Sequence, residues 1–118
     1  MSYYRKFVDW LCVKRMDYVN SEMARDELRL EFLKDDLVFS NTAFILEHIE
    51  KLVVTSSARC IILDFAAVNH IDSSAVGMLI SLKNSMQKMG KKMLLAGLSG
   101  NVRRIFRFLD ITDFLDAA

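Results

Sequence analysis

Residues 60–82 read CIILDFAAVNHIDSSAVGMLISL, and this stretch decides the fold. Its first part, residues 60–63 with Phe65, is a short apolar run with β-branched side chains, which is typical of a strand buried on both faces of a parallel sheet. Polar side chains interrupt the run within residues 68–71, so the chain is expected to turn there. The sequence therefore predicts a central strand that leaves the sheet through a short turn.

Three polar residues, Asp72, Ser73 and Ser74, follow this turn and precede an apolar pattern. Asp and Ser are preferred at helix amino ends because their oxygens accept hydrogen bonds from the unpaired N–H groups of the first turn. The apolar residues then recur at helical spacing, at Val76, Leu79, Ile80 and Met86. We therefore expect a helix whose first turn carries a carboxylate and two hydroxyls. These three residues are the main candidate site, although a simple helix cap would require the same residue types.

Composition and charge are those of one globular domain. The chain has 118 residues, of which 53% are hydrophobic and 26% charged, so it can bury a core and is too apolar for disorder. The net charge of +1 gives no electrostatic reason to expect binding to nucleic acid or to a membrane surface. The longest uncharged runs reach only about half of the ~20 residues that a membrane helix needs, and no signal peptide is visible.

The sequence predicts no metal site and no cofactor. Cys12 and Cys60 are far apart and lack C-x-x-C spacing, so we expect reduced core thiols in a cytoplasmic protein. His48 has no second ligand at metal spacing. Gly97 and Gly100 do not form a phosphate-binding loop, because no Lys-Ser or Lys-Thr follows them.

Residues 1–27 are predicted to form an N-terminal segment ahead of a domain that spans residues 28–118. The segment is rich in aromatic side chains, and residues 10–16 suit a strand, which we favour, although the same spacing suits a helix. Residues 20–27 are polar and charged, so a connection or a solvated helical turn is expected there.

The first half of the domain is predicted to contain a strand and a helix. Residues 28–32 alternate apolar and charged side chains, as a strand with one buried face does, and residues 34–36 suit a turn. Ser40, Asn41 and Thr42 are candidate N-caps for a helix that runs to about Val54. Its predicted inward face consists of Phe44, Ile45, Ile49, Leu52 and Val53.

The second half is predicted to add a strand and a short helix. Gly90 is expected to end the central helix in the left-handed conformation, and residues 93–96 suit a buried strand. A turn at 97–101 precedes a helix at 102–109, and the tail 111–115 is apolar enough to pack on the body. The helix is expected to place Val102, Ile105, Phe106 and Leu109 inward and Arg103, Arg104 and Arg107 on a solvated face.

Strands and helices therefore alternate along the chain, which predicts an α/β fold. Right-handed crossovers would give a small, mostly parallel or mixed β-sheet of about four to five strands covered by helices. The functional edge of such a sheet is usually at the carboxyl ends of the strands, where Asp72, Ser73 and Ser74 are expected to lie.

Three segments together resemble the STAS domain over about residues 28–116: LDFAAVNHIDSSAVGMLISL, the GKKMLLAGL strand and turn, and the VRRIF helix. STAS domains occur as bacterial anti-sigma-factor antagonists and as cytoplasmic domains of SulP anion transporters. In the antagonists, a partner anti-sigma factor that is itself a kinase phosphorylates the first serine after the aspartate. The resemblance implies that Ser73 is this serine, with Asp72 as the acidic neighbour and Ser74 as the second hydroxyl.

The resemblance implies a non-enzymatic regulatory module that binds a protein partner, an anti-sigma factor and serine kinase. The implied contact residues are His70, Asp72, Ser73, Ser74 and Val76. Neither nucleic-acid binding nor direct membrane insertion is expected, and a homodimer is left open.

The alternative is the cytoplasmic domain of a SulP-type transporter that contacts the membrane domain of the same protein. Residues 37–41, LVFSN, are similar to the L-x-F-x-N segment of SulP domains, and residues 69–72 also fit this alternative. Ala75 stands where a glycine is usual in the family. A small enzyme that uses His70 and Asp72 is the third possibility, and no serine-base-carboxylate spacing supports it.

Overall fold

The computed structural model describes residues 18–115, and within this range it contains six strands and three helices. The strands are β1 (Val19–Ala24), β2 (Glu27–Phe32), β3 (Asp36–Leu37), β4 (Cys60–Asp64), β5 (His70–Ile71) and β6 (Lys92–Ala96). The helices are α1 (Phe39–Thr55), α2 (Ser73–Lys88) and α3 (Gly100–Phe108).

The main sheet has four strands in the order β1-β2-β4-β6. Strands β2, β4 and β6 are parallel, and β1 is antiparallel to β2. The strand predicted to be central, β4, lies between β2 and β6 and pairs with both along its length. This arrangement confirms the predicted α/β class with a mixed sheet.

The core lies between one face of this sheet and the helices. Alternate residues of β2, β4 and β6 are buried on that face, namely Leu28, Leu30, Phe32, Ile61, Leu63, Met93 and Leu95. Each fully buried aliphatic side chain contributes about 1.5–3 kcal/mol of hydrophobic stabilisation. The prediction that β4 is buried on both faces was wrong in part, because Cys60 and Ile62 are only partly buried on the opposite face. Cys60 is therefore a partly buried free thiol rather than a core residue.

Strand β1 corrects the prediction for residues 20–27. These residues were expected to form a connection or a solvated helical turn, but Val19–Ala24 pair with β2 in register from Val19 opposite Phe32 to Ala24 opposite Glu27. Only Val19 of this strand is buried, so no apolar alternation marked it in the sequence. Backbone hydrogen bonds to β2 hold this strand at the edge of the sheet, and these bonds do not depend on which side chains the strand carries. The strand predicted at 10–16 lies outside the described residues, as does Cys12.

Helix α1 starts earlier than its polar residues suggested. Ser40, Asn41 and Thr42 were expected to be N-caps, but the helix begins at Phe39, with Val38 at the cap position. Asn41 lies in the first turn, and its side chain accepts from the N–H of Val38 (3.0 Å) and donates to the carbonyl of Asp36 (3.0 Å). Asn41 thus stabilises the helix start from inside the helix.

Two residues predicted to face inward are exposed. The buried stripe of α1 follows Ile45, Ile49 and Val53, and Phe44 lies beside it, with 49% of its surface exposed. Leu109 is 44% exposed because it follows the last residue of α3. The tail at residues 111–115 fills the position in the core that Leu109 was expected to occupy, since Leu115 is fully buried and Ile111 packs against the same cluster.

Gly90 ends α2 as predicted, in the left-handed conformation with φ +69°. Its N–H donates to the carbonyl of Gln87, and the N–H of Lys91 donates to that of Met86. These two bonds form a Schellman motif that satisfies the last carbonyls of the helix.

Gly97, which follows β6, allows a close approach to the end of β4. Asp64 at that end is largely buried, accepts from Arg29 (3.0 Å) and accepts from the N–H of Ala66 (2.9 Å). A Cβ at Gly97 would lie 3.1 Å from both the Ala66 nitrogen and Asp64 Oδ1, and the backbone there has φ +72°. Glycine is therefore required for steric and conformational reasons.

We predict that Gly97→Ala destabilises the protein by about 1–3 kcal/mol, because an L side chain would occupy a left-handed position and press on the Asp64 turn. The free energy of unfolding in urea measures the effect. Gly77→Ala is the matched control, since no atom lies within 4 Å of its added Cβ and the residue is inside α2. That change should stabilise the protein by about 0.5–1 kcal/mol. Equal stability of Gly97→Ala and wild type would contradict the prediction.

Candidate functional site

The segments before α1 and before α2 are bonded to each other along the edge where the parallel strands end. Strand β3 pairs with β5 in parallel, with Asp36 opposite His70 and Leu37 opposite Ile71. The N–H groups of Asn69 and His70 both donate to the carbonyl of Asp35, at 2.8 and 3.2 Å. The amino ends of two helices are thereby held side by side.

Asp72 is the N-cap of α2 and also contacts the start of α1. Its Oδ1 accepts from the N–H groups of Ser74 (2.9 Å) and Ala75 (3.2 Å). Its Oδ2 accepts from the N–H of Phe39, the first residue of α1, at 2.9 Å. One carboxylate thus caps two helices, and both helix dipoles favour its negative charge.

Ser74 belongs to the structural part of this site. Its hydroxyl donates to Asp72 Oδ1 and accepts from the Thr42 hydroxyl at 3.2 Å. Thr42 is buried in the first turn of α1. The chain of bonds from Thr42 through Ser74 to Asp72 therefore connects the two helices a second time.

Ser73 differs from Ser74 in being exposed at the first position of α2. Within residues 18–115 no hydrogen bond involves its side chain. A group attached to the Ser73 hydroxyl would therefore extend into solvent and leave the cap intact.

The pKa of Asp72 is lowered from its ordinary value of 3.8. The side-chain hydrogen bond from Ser74 is the main cause, and the backbone N–H groups of Phe39, Ala75 and Ser74 add to it. The carboxylate is therefore ionised at neutral pH and gives the exposed edge a fixed negative charge.

The remaining predicted contact residues lie close by. His70 is exposed, and its Nε2 is 3.9 Å from Asp35 Oδ2, while Asn69 donates to Asp35 Oδ1 at 2.7 Å. Val76 is partly buried one helical turn after Ser73, and so lies on the same side of α2. Asp72 and Ser74 are thus in direct contact. His70, Ser73 and Val76 lie around them, and the backbone N–H of Val76 donates to the carbonyl of Asp72 at 3.3 Å.

The sequence did not place Phe39 and Thr42 at this site. Phe39 is 83% exposed, although its N–H is bonded to Asp72. The LVFSN stretch was noticed for its similarity to SulP domains, but no local pattern indicates a contact between residues 33 positions apart. Aromatic side chains are enriched in protein interfaces, so the exposed Phe39 is a further candidate contact residue.

Within the described residues, no helix combines the length and apolarity needed to span a bilayer. The same range holds no group of three His, Cys, Asp or Glu residues placed to bind a metal ion.

Cys60 has a raised pKa, chiefly because of burial and then because of Glu27, so its thiol is protonated at neutral pH.

The fold and this edge define a class of small α/β domains in which a polar helix start lies beside a mostly parallel sheet. The family model described as "STAS domain" matches residues 15–117. The chain therefore belongs to the STAS family. The STAS domain is generally a regulatory or interaction module.

Several solved structures share the fold. The unphosphorylated anti-sigma factor antagonist SpoIIAA has 22% identity and a TM-score of 0.71, with 85% of this chain and 87% of that chain covered. A sulfate transporter family protein from Wolinella succinogenes has 19% identity and a TM-score of 0.69, with 80% and 75% covered. The murine anion transporter Slc26a9 has 18% identity and a TM-score of 0.68, with 78% of this chain and 15% of that chain covered.

We predict that Ser74→Ala raises the pKa of Asp72, because it removes the hydrogen bond that contributes most to the lowering. The charged cap stabilises the folded state at pH values above 3.8, and this contribution is lost as the pH falls through the folded-state pKa. Ser74→Ala should therefore begin to lose that contribution at a higher pH than wild type does. NMR titration of the Asp72 carboxyl carbon measures the pKa directly. Ser73→Ala is the control and should leave it unchanged, and equal shifts in the two variants would refute this account.

Proposed function

We propose that this protein is a non-enzymatic STAS module of the anti-sigma-factor-antagonist kind, switched by phosphorylation of Ser73. The observation that carries the proposal is the difference between the two serines. Ser73 is exposed and outside the cap, whereas Ser74 is bonded to Asp72 and Thr42. A kinase can reach the first hydroxyl without disturbing the fold.

A phosphate on Ser73 would act on the partner more than on the domain. The amino end of α2 tolerates it, because the helix dipole favours negative charge there. The modification adds about 1.5–2 negative charges beside the ionised Asp72. A partner seated on this edge would then meet like-charge repulsion and a desolvation cost. The same modification at Ser74 would break the bonds that join α1 to α2, which makes Ser74 the poorer switch.

The proposed partner is a protein that combines anti-sigma-factor and serine-kinase roles. Its docking edge would include His70, Asp72, Ser73, Ser74 and Val76, extended by Phe39. These residues share the edge formed by the starts of α1 and α2. We expect a cytoplasmic setting, with neither nucleic acid nor lipid as the ligand, and a homodimer is not required.

The second candidate is the cytoplasmic domain of a SulP-type transporter. The sulfate transporter family protein and Slc26a9 support it as relatives of the same fold. The LVFSN stretch at residues 37–41 supports it as well, because it is similar to the L-x-F-x-N segment of SulP domains. In this role the edge would contact a membrane domain, and Ser73 would not need to be modified.

We predict that affinity capture from a lysate of the source organism separates these roles. Wild type, Ser73→Ala and Ser73→Asp serve as baits, and mass spectrometry identifies what each retains. Wild type and Ser73→Ala should retain a kinase-like protein that Ser73→Asp loses, because the added carboxylate repels the partner.

Ser81→Asp is the matched control, because Ser81 is an exposed serine on the same helix away from its start. It should retain the partner as wild type does. If all baits return the same membrane proteins, the transporter role is supported, and if none retains a kinase-like protein, the phosphorylation switch is refuted.

We predict that Phe39→Ala weakens partner binding by about 1–3 kcal/mol, since buried aromatic anchors dominate interface energies. Unfolding stability should change by less than about 0.5 kcal/mol, because Phe39 is 83% exposed in the free protein. Titration calorimetry with the captured partner measures the first effect. Val54→Ala, at an exposed position near the other end of α1, is the control and should bind normally. Unchanged affinity of Phe39→Ala would remove Phe39 from the docking edge.

A further inference from the structure

The helices within residues 18–115 leave one face of the main sheet open. The buried apolar residues of α1, α2 and α3 all belong to the core cluster, which they share with the other face of the sheet. Side chains alternate between the two faces along each strand. The open face therefore carries Asn20, Glu22, Ala24, Glu27, Arg29, Glu31, Cys60, Ile62, Asp64, Lys92, Leu94 and Ala96.

The middle of the open face is apolar. The strand register places Ile62 of β4 directly beside Leu94 of β6. Both side chains are only partly buried, whereas their neighbours along the two strands are almost fully buried in the core. Covering this pair with another layer of structure would remove apolar surface from water and so stabilise the fold.

Acidic side chains surround this apolar pair. The open face carries four carboxylates and two basic groups, and an ion pair of 3.0 Å joins Arg29 to Asp64. The other three carboxylates, those of Glu22, Glu27 and Glu31, are on exposed residues. A segment that covers the open face is therefore expected to supply apolar and basic side chains.

Residues 1–17 have this composition, with four basic residues and two acidic ones. Helical spacing would place their large apolar side chains on one side, namely Tyr3, Tyr4, Phe7, Trp10 and Leu11. A strand over residues 10–15 would have a charged residue on each side, Lys14 on one and Arg15 on the other. An apolar sheet face therefore favours the helical alternative for this segment.

The segment joins the sheet at a point from which it can reach the open face. It ends next to Tyr18, whose carbonyl accepts from the N–H of Leu33 at 2.8 Å, and β1 then begins at the edge of the sheet. A helix of residues 1–17 would extend about 25 Å at about 1.5 Å per residue, whereas four strands about 4.8 Å apart span about 14 Å. The segment is therefore long enough to cross the sheet.

We propose that residues 1–17 form a helix that covers the open face of the main sheet. Its aromatic side chains pack against Ile62 and Leu94, and its basic residues lie near the three exposed glutamates. The sheet is then covered on both faces. The proposal does not depend on the modification of Ser73, since no residue of that edge belongs to the open face.

The first test uses Trp10, the single tryptophan of the chain, whose fluorescence reports on this segment. In the full chain we expect a blue-shifted emission maximum and slow quenching by acrylamide, because the indole packs against the sheet. Leu94→Glu should red-shift the emission and speed the quenching, since it places a carboxylate in the apolar centre of the face. Val54→Glu is the matched control, at an exposed apolar position of α1, and should leave Trp10 unchanged. Far-UV circular dichroism checks that both variants are folded.

The second test keeps Ile62 and Leu94 intact. Cys60→Ser leaves Cys12 as the single thiol, to which a nitroxide spin label is attached. The label should broaden the NMR amide signals of Ile62 and Leu94 more than those of Ile49 in α1 and Leu82 in α2. Spin-labelled chain mixed with isotope-labelled chain that carries no nitroxide should show no broadening.

Three results would overturn the proposal. Broadening in the mixed sample would assign the open face to a second copy of the chain. Stronger broadening of the helices than of the strands would place the segment on the other side of the sheet. A solvent-exposed indole in the wild-type protein would show that the segment leaves the face free for another protein.

Discussion

The carboxylate of Asp72 fixes the amino ends of α1 and α2 relative to each other. It accepts hydrogen bonds from Phe39 at the start of one helix and from Ser74 and Ala75 at the start of the other. Because the group is ionised at neutral pH, these bonds are charge-assisted and both helix dipoles favour it. The two helix starts together form the exposed edge beside Ser73, and this carboxylate holds them in place together with the β3–β5 pairing and the Thr42–Ser74 hydrogen bond.

The two serines after Asp72 have different physical situations despite being neighbours in sequence. Ser73, the first residue of α2, is exposed, whereas the hydroxyl of Ser74, the second, donates to the carboxylate of the cap residue Asp72. Ser74 is consequently part of the connection between helices, whereas Ser73 is exposed to solvent. The proposed phosphorylation switch rests on this difference between the two serines.

The sheet supplies the rigid support for that edge. Its three parallel strands end at the same side. A short turn follows β4 there and leads to β5 and to the cap residue Asp72. Burial of alternate residues of β2, β4 and β6 holds these strand ends in place, and Gly97 lets the turn after β6 approach Asp64 closely.

By itself, the sequence determined the α/β class, the central strand, the start of α2 and the left-handed end at Gly90, because each rests on local periodicity or on one residue's backbone preference. Strand β1 could not be predicted, since its stability comes from backbone bonds to β2 and not from its own side chains. The contact of Phe39 with Asp72 could not be predicted either, because the two residues are 33 positions apart in the sequence. The different surroundings of Ser73 and Ser74 were decided only by the tertiary structure, because α1 brings the buried Thr42 hydroxyl to Ser74 and leaves Ser73 in solvent.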